Sequence, residues 1–253
     1  MIRSSLRFFG TLTLLAAAAG CDSSAPGGGG QVSFNVATQG STSAAAGPAG
    51  APDTLVDGGG NVLVLTQVEI VLRDIELERR NHDNCDSVST GSDDDCEEFQ
   101  AGPVLIDLPL NAGVEHEFTV SVDSGTFDEL KLKVHKPEDD GNSVDQAFLA
   151  AHPDFADVSI RVTGTFNGTT FIFTTDMGAE QEFTINPPLV ISGQSDVAVT
   201  LKVDVSGWFL SGAVLVNPSL ALKGGAFESV VENNIEASFE AFHDDNRDGQ
   251  DDD

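Results

Sequence analysis

Residues 61–78, NVLVLTQVEIVLRDIELE, are the longest nearly unbroken run of aliphatic and β-branched residues in the chain. Val68, Ile70 and Leu72 alternate on one face, and Ile75 and Leu77 take up the opposite phase. Strand side chains change face at every residue, so this shift near Arg73-Asp74 predicts a bulge or a strand that passes between sheets. The run reads as the long central strand of an all-β domain.

Working outward, the same alternation recurs. Residues 31–38 carry Val32, Phe34 and Val36 in phase. Residues 104–108 and 114–122 follow, then 127–134, where Leu130, Leu132 and Val134 face inward against Lys131 and Lys133. Residues 158–166 and 169–175 flank Asn167-Gly168, a strong two-residue hairpin signal. Residues 181–185 form a short strand ended by Pro187-Pro188, and 196–205 alternate from Val197 to Val205. Trp208 and Phe209 are read as a plug at the end of the core.

Two segments have helical character. Ser143 and Gln146 have capping-box spacing, and Pro153 closes a helix over 143–152. Val231, Ile235, Phe239 and Phe242 repeat with a helical period, which predicts a C-terminal helix over 227–242. The expectation is a β-sandwich of about nine mostly antiparallel strands over 31–226, because helices do not alternate with strands as in an α/β fold. It carries a short inserted helix and the C-terminal helix. Residues 39–60, rich in Ala, Gly, Ser and Pro, are expected to be a disordered loop, and 79–100 a polar, acidic insertion.

The 253 residues hold 16 Phe, one Trp and no Tyr, so the core needs few hydroxyl partners. Lys+Arg number 12 against 41 Asp+Glu, a formal net charge of −29. That field repels nucleic acid and anionic headgroups, attracts divalent cations and favours solubility.

Residues 1–21, MIRSSLRFFGTLTLLAAAAGC, open with Arg3 and Arg7 and continue into an apolar stretch over 8–19. That stretch falls short of the ~20 residues of a membrane-spanning helix and suits the apolar region of a signal peptide. Ala18-Ala19-Gly20-Cys21 looks like a bacterial lipobox, which makes Cys21 the lipidated mature N-terminus and 22–30, DSSAPGGGG, a flexible tether. Export places the other cysteines, Cys85 and Cys96, in an oxidising compartment, where a disulfide across their ten intervening residues is the expected fate. Such a bond contributes roughly 2–4 kcal/mol. A metal site built from Cys85, Cys96 and His82 is the weaker alternative, since no C-x-x-C is present.

The succession VEIVLRDIELER at 68–79, VLIDLPLNAG at 104–113 and DSGTFDELKLKV at 123–134 resembles the domain-of-unknown-function 4382 family. Phe127 stands where that family has Tyr, and Leu130-Lys131-Leu132 holds its apolar-basic-apolar step. The resemblance implies an all-β domain of a bacterial envelope protein, often a lipoprotein. It brings no catalytic residues, since the family has no settled activity.

The sharpest chemical signal is the tail, HDDNRDGQDDD, residues 243–253. Asp244, Asn246 and Asp248 stand at positions 1, 3 and 5 of an EF-hand-like loop, Gly249 at 6, Gln250 at 7 and Asp252 at 9. It looks like the calcium loops of dockerins and thrombospondin type 3 repeats. The bidentate acid of position 12 is absent from the sequence, so a calcium ion bound here has an expected Kd of ~10⁻⁴–10⁻³ M. A solvated acidic tail is the alternative.

No G-x-S-x-G elbow, H-E-x-x-H or P-loop occurs, and the five His are scattered. The chain therefore reads as a lipid-anchored, exported cell-envelope protein, facing periplasm or exterior. It is held to a bacterial membrane through Cys21 and acts as a binding or scaffolding module with an envelope protein or glycan as partner. The alternatives are a carbohydrate-active or other hydrolytic domain, which requires two facing acids in a cleft, and a calcium-stabilised adhesion module.

Overall fold

The computed structural model describes residues 29–38, 53–79, 96–100, 102–110, 113–138, 141–193 and 195–252. The elements are β1 (Gly30–Thr38), β2 (Asp53–Val56), β3 (Val62–Arg79), β4 (Cys96–Gln100), β5 (Val104–Asp107), β6 (Val114–Val122) and β7 (Gly125–Val134). Helix α1 (Ser143–Ala151) follows, then β8 (Ile160–Phe166), β9 (Thr169–Thr175), β10 (Ala179–Ile191), β11 (Asp196–Val203), β12 (Leu210–Ser211) and β13 (Val214–Leu215). Helix α2 (Glu228–Glu236) and β14 (Phe239–His243) end the fold.

The chain folds as an all-β sandwich. One sheet has four strands in the order β14-β11-β1-β6, with β1 parallel to β11 and the other pairs antiparallel. The other has eight, along the path β10-β7-β3-β8-β9, with β2, β4 and β5 also on β3. Strand β3 is its spine. Its partner register slips once between Leu65 and Gln67 and again between Arg73 and Glu76, where Asp74 has φ 47°. Each slip adds one residue to β3, and an Asp tolerates the left-handed backbone that the second requires.

Of the two readings of that phase change, the bulge is the one present. Ile75 and Leu77 do not change layers; Leu63, Leu65, Val68, Ile70, Leu72, Ile75 and Leu77 all join one core. The extra residues at Thr66 and near Asp74 rotate the strand back, so the same face stays buried. Val32, Phe34 and Val36 of β1 and Val199 and Leu201 of β11 close that core from the small sheet. Phe34 stacks on Phe118 at 5.0 Å between ring centroids, and Phe173 meets Phe209 edge-on at 5.1 Å. Trp208 and Phe209 are both fully buried, and the Trp208 indole N–H donates to Ser238 Oγ at 2.8 Å.

All nine strands expected from alternation are present, and among the described residues five short ones join them. Residues 53–56, inside the expected disordered loop, pair as β2 with Val62 to Leu65. There Asp57 organises the turn: hydrogen bonds from the Asn61 side chain first, then from the Leu215 amide, and last from the Asn61 and Gly59 amides pull its pKa down to about 2. The C-terminal helix is shorter than its periodicity implied. Val231 and Ile235 face the core from α2, but the helix ends at Glu236 and Phe239 and Phe242 belong to β14, antiparallel to β11. The helix period was met by chance in a strand that the β11 edge recruits. Strand β10 continues past Pro187-Pro188, because its pairing with β7 is interrupted there and resumes at Leu189. The α1 cap is Asn142, one residue before Ser143, its side chain accepting from the Val144 amide at 3.0 Å. The leader with Cys21, the tether up to residue 28, and Cys85 with its expected bond to Cys96 lie outside the described residues.

Candidate functional site

The tail that drew attention in the sequence leaves β14 at His243 and folds back over the outer face of the small sheet. Asp244 extends the ladder by donating its amide to the Ala198 carbonyl at 3.0 Å, and its side chain is fully buried. Asp244 Oδ2 accepts from the Thr200 hydroxyl at 2.7 Å and the Gly249 amide at 3.0 Å, while Oδ1 accepts from the Asp248 amide at 2.9 Å. Asn246 Oδ1 also accepts from the Asp248 amide, and Asp248 Oδ1 accepts from the Gln250 amide, each at 2.9 Å. Residues 1, 3 and 5 of the loop thus each turn an oxygen onto the backbone. Arg247 and Gly249 supply the left-handed turns, with φ 57° and 77°.

Asp252 closes the circle. Its carboxylate accepts from the Asp245 amide at 2.6 Å, the Asn246 amide at 3.2 Å and the Asn246 side chain at 2.7 Å. The Asp252 amide returns to the His243 carbonyl at 3.1 Å. Each carboxylate offers about four lone-pair directions, so these bonds leave oxygen capacity unused on Asp244 and Asp248. Among the described residues no group of three or more His, Cys, Asp or Glu is disposed to hold a metal ion. In this conformation Asp244, Asn246 and Asp248 share a turn, but Asp252 spends its carboxylate on amides and Gln250 contributes its amide to Asp248.

A polar row lies on the face of the small sheet opposite the core residues of β1. His116, Asn35 and Thr200 are neighbours across β6, β1 and β11 by register. Asn35 Oδ1 is 3.2 Å from His116 Nδ1, and His116 Nε2 is 3.2 Å from Thr119 Oγ1. Arg247 reaches from the loop to Ser33 Oγ at 3.2 Å and to both Asp196 oxygens at 3.3 Å. Gly249 lies so close that a Cβ there would sit 3.0 Å from Val114 and 3.5 Å from Ala37. Ser33 and Asn35 are therefore buried although they alternate with the core residues of β1. Asn35 Nδ2 is enclosed with no acceptor, a cost of about 1–3 kcal/mol for an unmade buried bond.

No family model matches the sequence, and no curated protein matches it. A solved structure, MbnP from Methylosinus trichosporium, is similar at 12% identity with a TM-score of 0.44, covering 85% of this chain and 99% of that one. The sandwich stands on its own strand order.

A second set of acids gathers at Asp107 of β5 and Glu115 and Glu117 of β6. Burial raises the Glu117 pKa to about 7, with repulsion from Glu115 and Asp107 adding to it, and burial also raises Asp107. Gln67 donates to Asp107 at 3.1 Å. Sequence alone offered no reason to single out these three among 41 acids, since strands from both sheets bring them together.

Proposed function

We propose that this chain is an exported envelope protein, held to a bacterial membrane by lipid on Cys21, whose sandwich serves as a binding or scaffolding module. The observation that carries the reading is the order of segments: a basic start, a short apolar stretch, Ala18-Ala19-Gly20-Cys21, a Gly-rich tether, and then β1 entering the core within ten residues of the cysteine. Among the described residues no helix is long and apolar enough to cross a membrane. More than one acyl chain is needed for stable anchoring, and the lipobox pattern supplies it. In membrane fractionation of the producing cells the wild-type protein sediments with membranes and Cys21→Ala moves to the soluble fraction. A Cys21→Ala protein that stays with the membranes sinks the anchor.

The tail loop takes calcium weakly in this reading, through Asp244, Asn246, Asp248, the Gln250 carbonyl and Asp252. What supports it is the preserved 1-3-5 spacing with a left-handed Gly249, which leaves free lone pairs on Asp244 and Asp248. Binding requires Asp252 to release the Asn246 and Asp245 donors. Calorimetric titration with calcium gives a Kd on the order of 10⁻⁴–10⁻³ M that Asp248→Ala abolishes. Equal heats for the two proteins leave the loop a purely structural strap.

A further inference from the structure

The outer face of the large sheet carries a cover at one end, where Val71 of β3 packs against Phe148 of α1 and Phe155. Toward the other end four strands lie side by side in the order β2-β3-β8-β9. Leu63, Leu65, Val162 and Phe173 join the core from them, so the residues of the alternate phase face outward. Val64, Thr165 and Thr170 make one outward row, and Gln67, Thr163 and Ile172 the next. Val56 and Val62 pair at the end. None of these side chains is charged or aromatic. At the margins stand Asp57 in the β2–β3 turn, Asp107 held by Gln67 at 3.1 Å, and the Arg161–Glu69 pair at 2.7 Å.

This corner also gathers exposed apolar side chains. Val56 and Ile172 are each 65% exposed. Val214 adjoins Leu215, whose amide donates to Asp57, and Leu220 ends the turn Pro218–Leu220 that packs on β9; they are 57% and 50% exposed. Among the described residues these are four of the six exposed large apolar residues. The Thr66 and Thr163 hydroxyls lie 3.1 Å apart and bond each other, so part of the face sheds water at little cost.

We propose that this face is a self-association surface, where two copies of the chain meet sheet to sheet about a two-fold axis. Charge selects the occupant. A chain of formal net charge −29 repels its own copy wherever acids oppose acids, and these rows oppose none. Small and β-branched side chains on an open sheet pack against a second sheet at a spacing of about 10 Å. A cationic partner finds no carboxylate within the rows, and no outward aromatic or arginine there offers the anchor that an unrelated partner uses. Four strands about 4.8 Å apart, over some six residues of about 3.3 Å rise, give a footprint on the order of 400 Å². That is half of the ~800 Å² per partner in a standard interface, so the dimer is weak and transient. Lipid anchoring raises the local concentration of copies and fills the dimer, but the contact itself does not depend on it.

Sedimentation of the Cys21→Ala protein tests it without the anchor. Dimer is expected as the protein approaches about 1 mM. It increases when salt rises from about 0.05 M to about 0.5 M, because screening relieves the repulsion between acidic chains. Thr170→Lys combined with Ile172→Lys raises the dimer Kd at least about tenfold, although the two lysines make the chain less acidic. Val190→Lys, at an equally exposed site of β10, leaves it unchanged. Concentration-dependent shifts of the Val64 and Ile172 methyl signals in NMR spectra locate the contact with no substitution on the face. A protein that stays monomeric at about 1 mM in high salt overturns the proposal. So does a dimer that survives the lysine pair, one that salt dissociates, or methyl shifts confined to other parts of the molecule. A Cys21→Ala protein released from membranes yet monomeric sinks this inference and leaves the anchoring intact.

Discussion

At the scale of single residues, buried charge is met by geometry. Arg73 of β3 is held against Asp145 of α1, with Nη1 to Oδ1 at 3.0 Å and Nη2 to Oδ2 at 3.4 Å, and Asp145 is fully buried. The Glu138 amide donates to the same carboxylate at 2.8 Å. Removing one partner strands the other without water. Asp145→Ala is therefore expected to cost roughly 3–5 kcal/mol in urea unfolding, and Arg73→Met with Asp145→Leu to recover most of it. A single-variant loss under about 1 kcal/mol would show a solvated pair instead. Arg161 works in a wetter setting: it forks onto Glu69 at 2.7 and 3.0 Å and lies 4.7 Å over the Phe155 ring, and the Glu69 hydrogen bond raises its pKa. Asp145 lies 72 residues from Arg73 and Glu69 lies 92 from Arg161, so neither ion pair was legible in the sequence.

At the scale of elements, β3 shows how much alternation reveals. The phase change at Arg73-Asp74 announced an irregularity, and one is present. Its effect on layering was not readable, because a bulge and a change of sheet leave the same trace in one strand. The partner decides, and β7 stays alongside through the slip. The β3–β8 contact is tighter still. A Cβ at Gly164 would come 2.0 Å from the Val64 carbonyl oxygen and 3.1 Å from the Phe171 ring. Gly164→Ala must push the strands apart, and thermal or chemical unfolding should show a loss of at least about 1–3 kcal/mol. The Asn167-Gly168 turn that follows was legible, since φ 49° and 78° suit these two residues.

At the scale of the whole molecule, the excess of acid is itself a load on the fold. Glu117 registers it most clearly, with a pKa raised to about 7 from 4.5 by burial first and by Glu115 and Asp107 second. A raised carboxyl binds protons more tightly folded than unfolded, so stability falls as pH rises from about 4.5 through about 7. Asp107 shifts in the same direction. The melting temperature should be higher at about pH 5.5 than at about pH 8, and Glu117→Gln should flatten that dependence. A profile identical for the two proteins would show that Glu117 titrates as an ordinary surface acid.

Local sequence determined the strands, the hairpin at Asn167-Gly168, the buried plug at Trp208-Phe209 and the spacing of the 244–252 loop. Each follows from side-chain period, turn chemistry or apolar bulk within a few residues. Tertiary structure alone decided that Phe239 and Phe242 lie in a strand, that residues 53–56 pair, and that Ser33, Asn35 and Thr200 are covered. Helix and strand periods both fit the short segment 239–242, and the free edge of β11 chose between them. A polar residue on a strand faces water unless something distant covers it, and here the cover is a loop 214 residues beyond Ser33 and 44 beyond Thr200, docked through Arg247 onto Ser33 and Asp196.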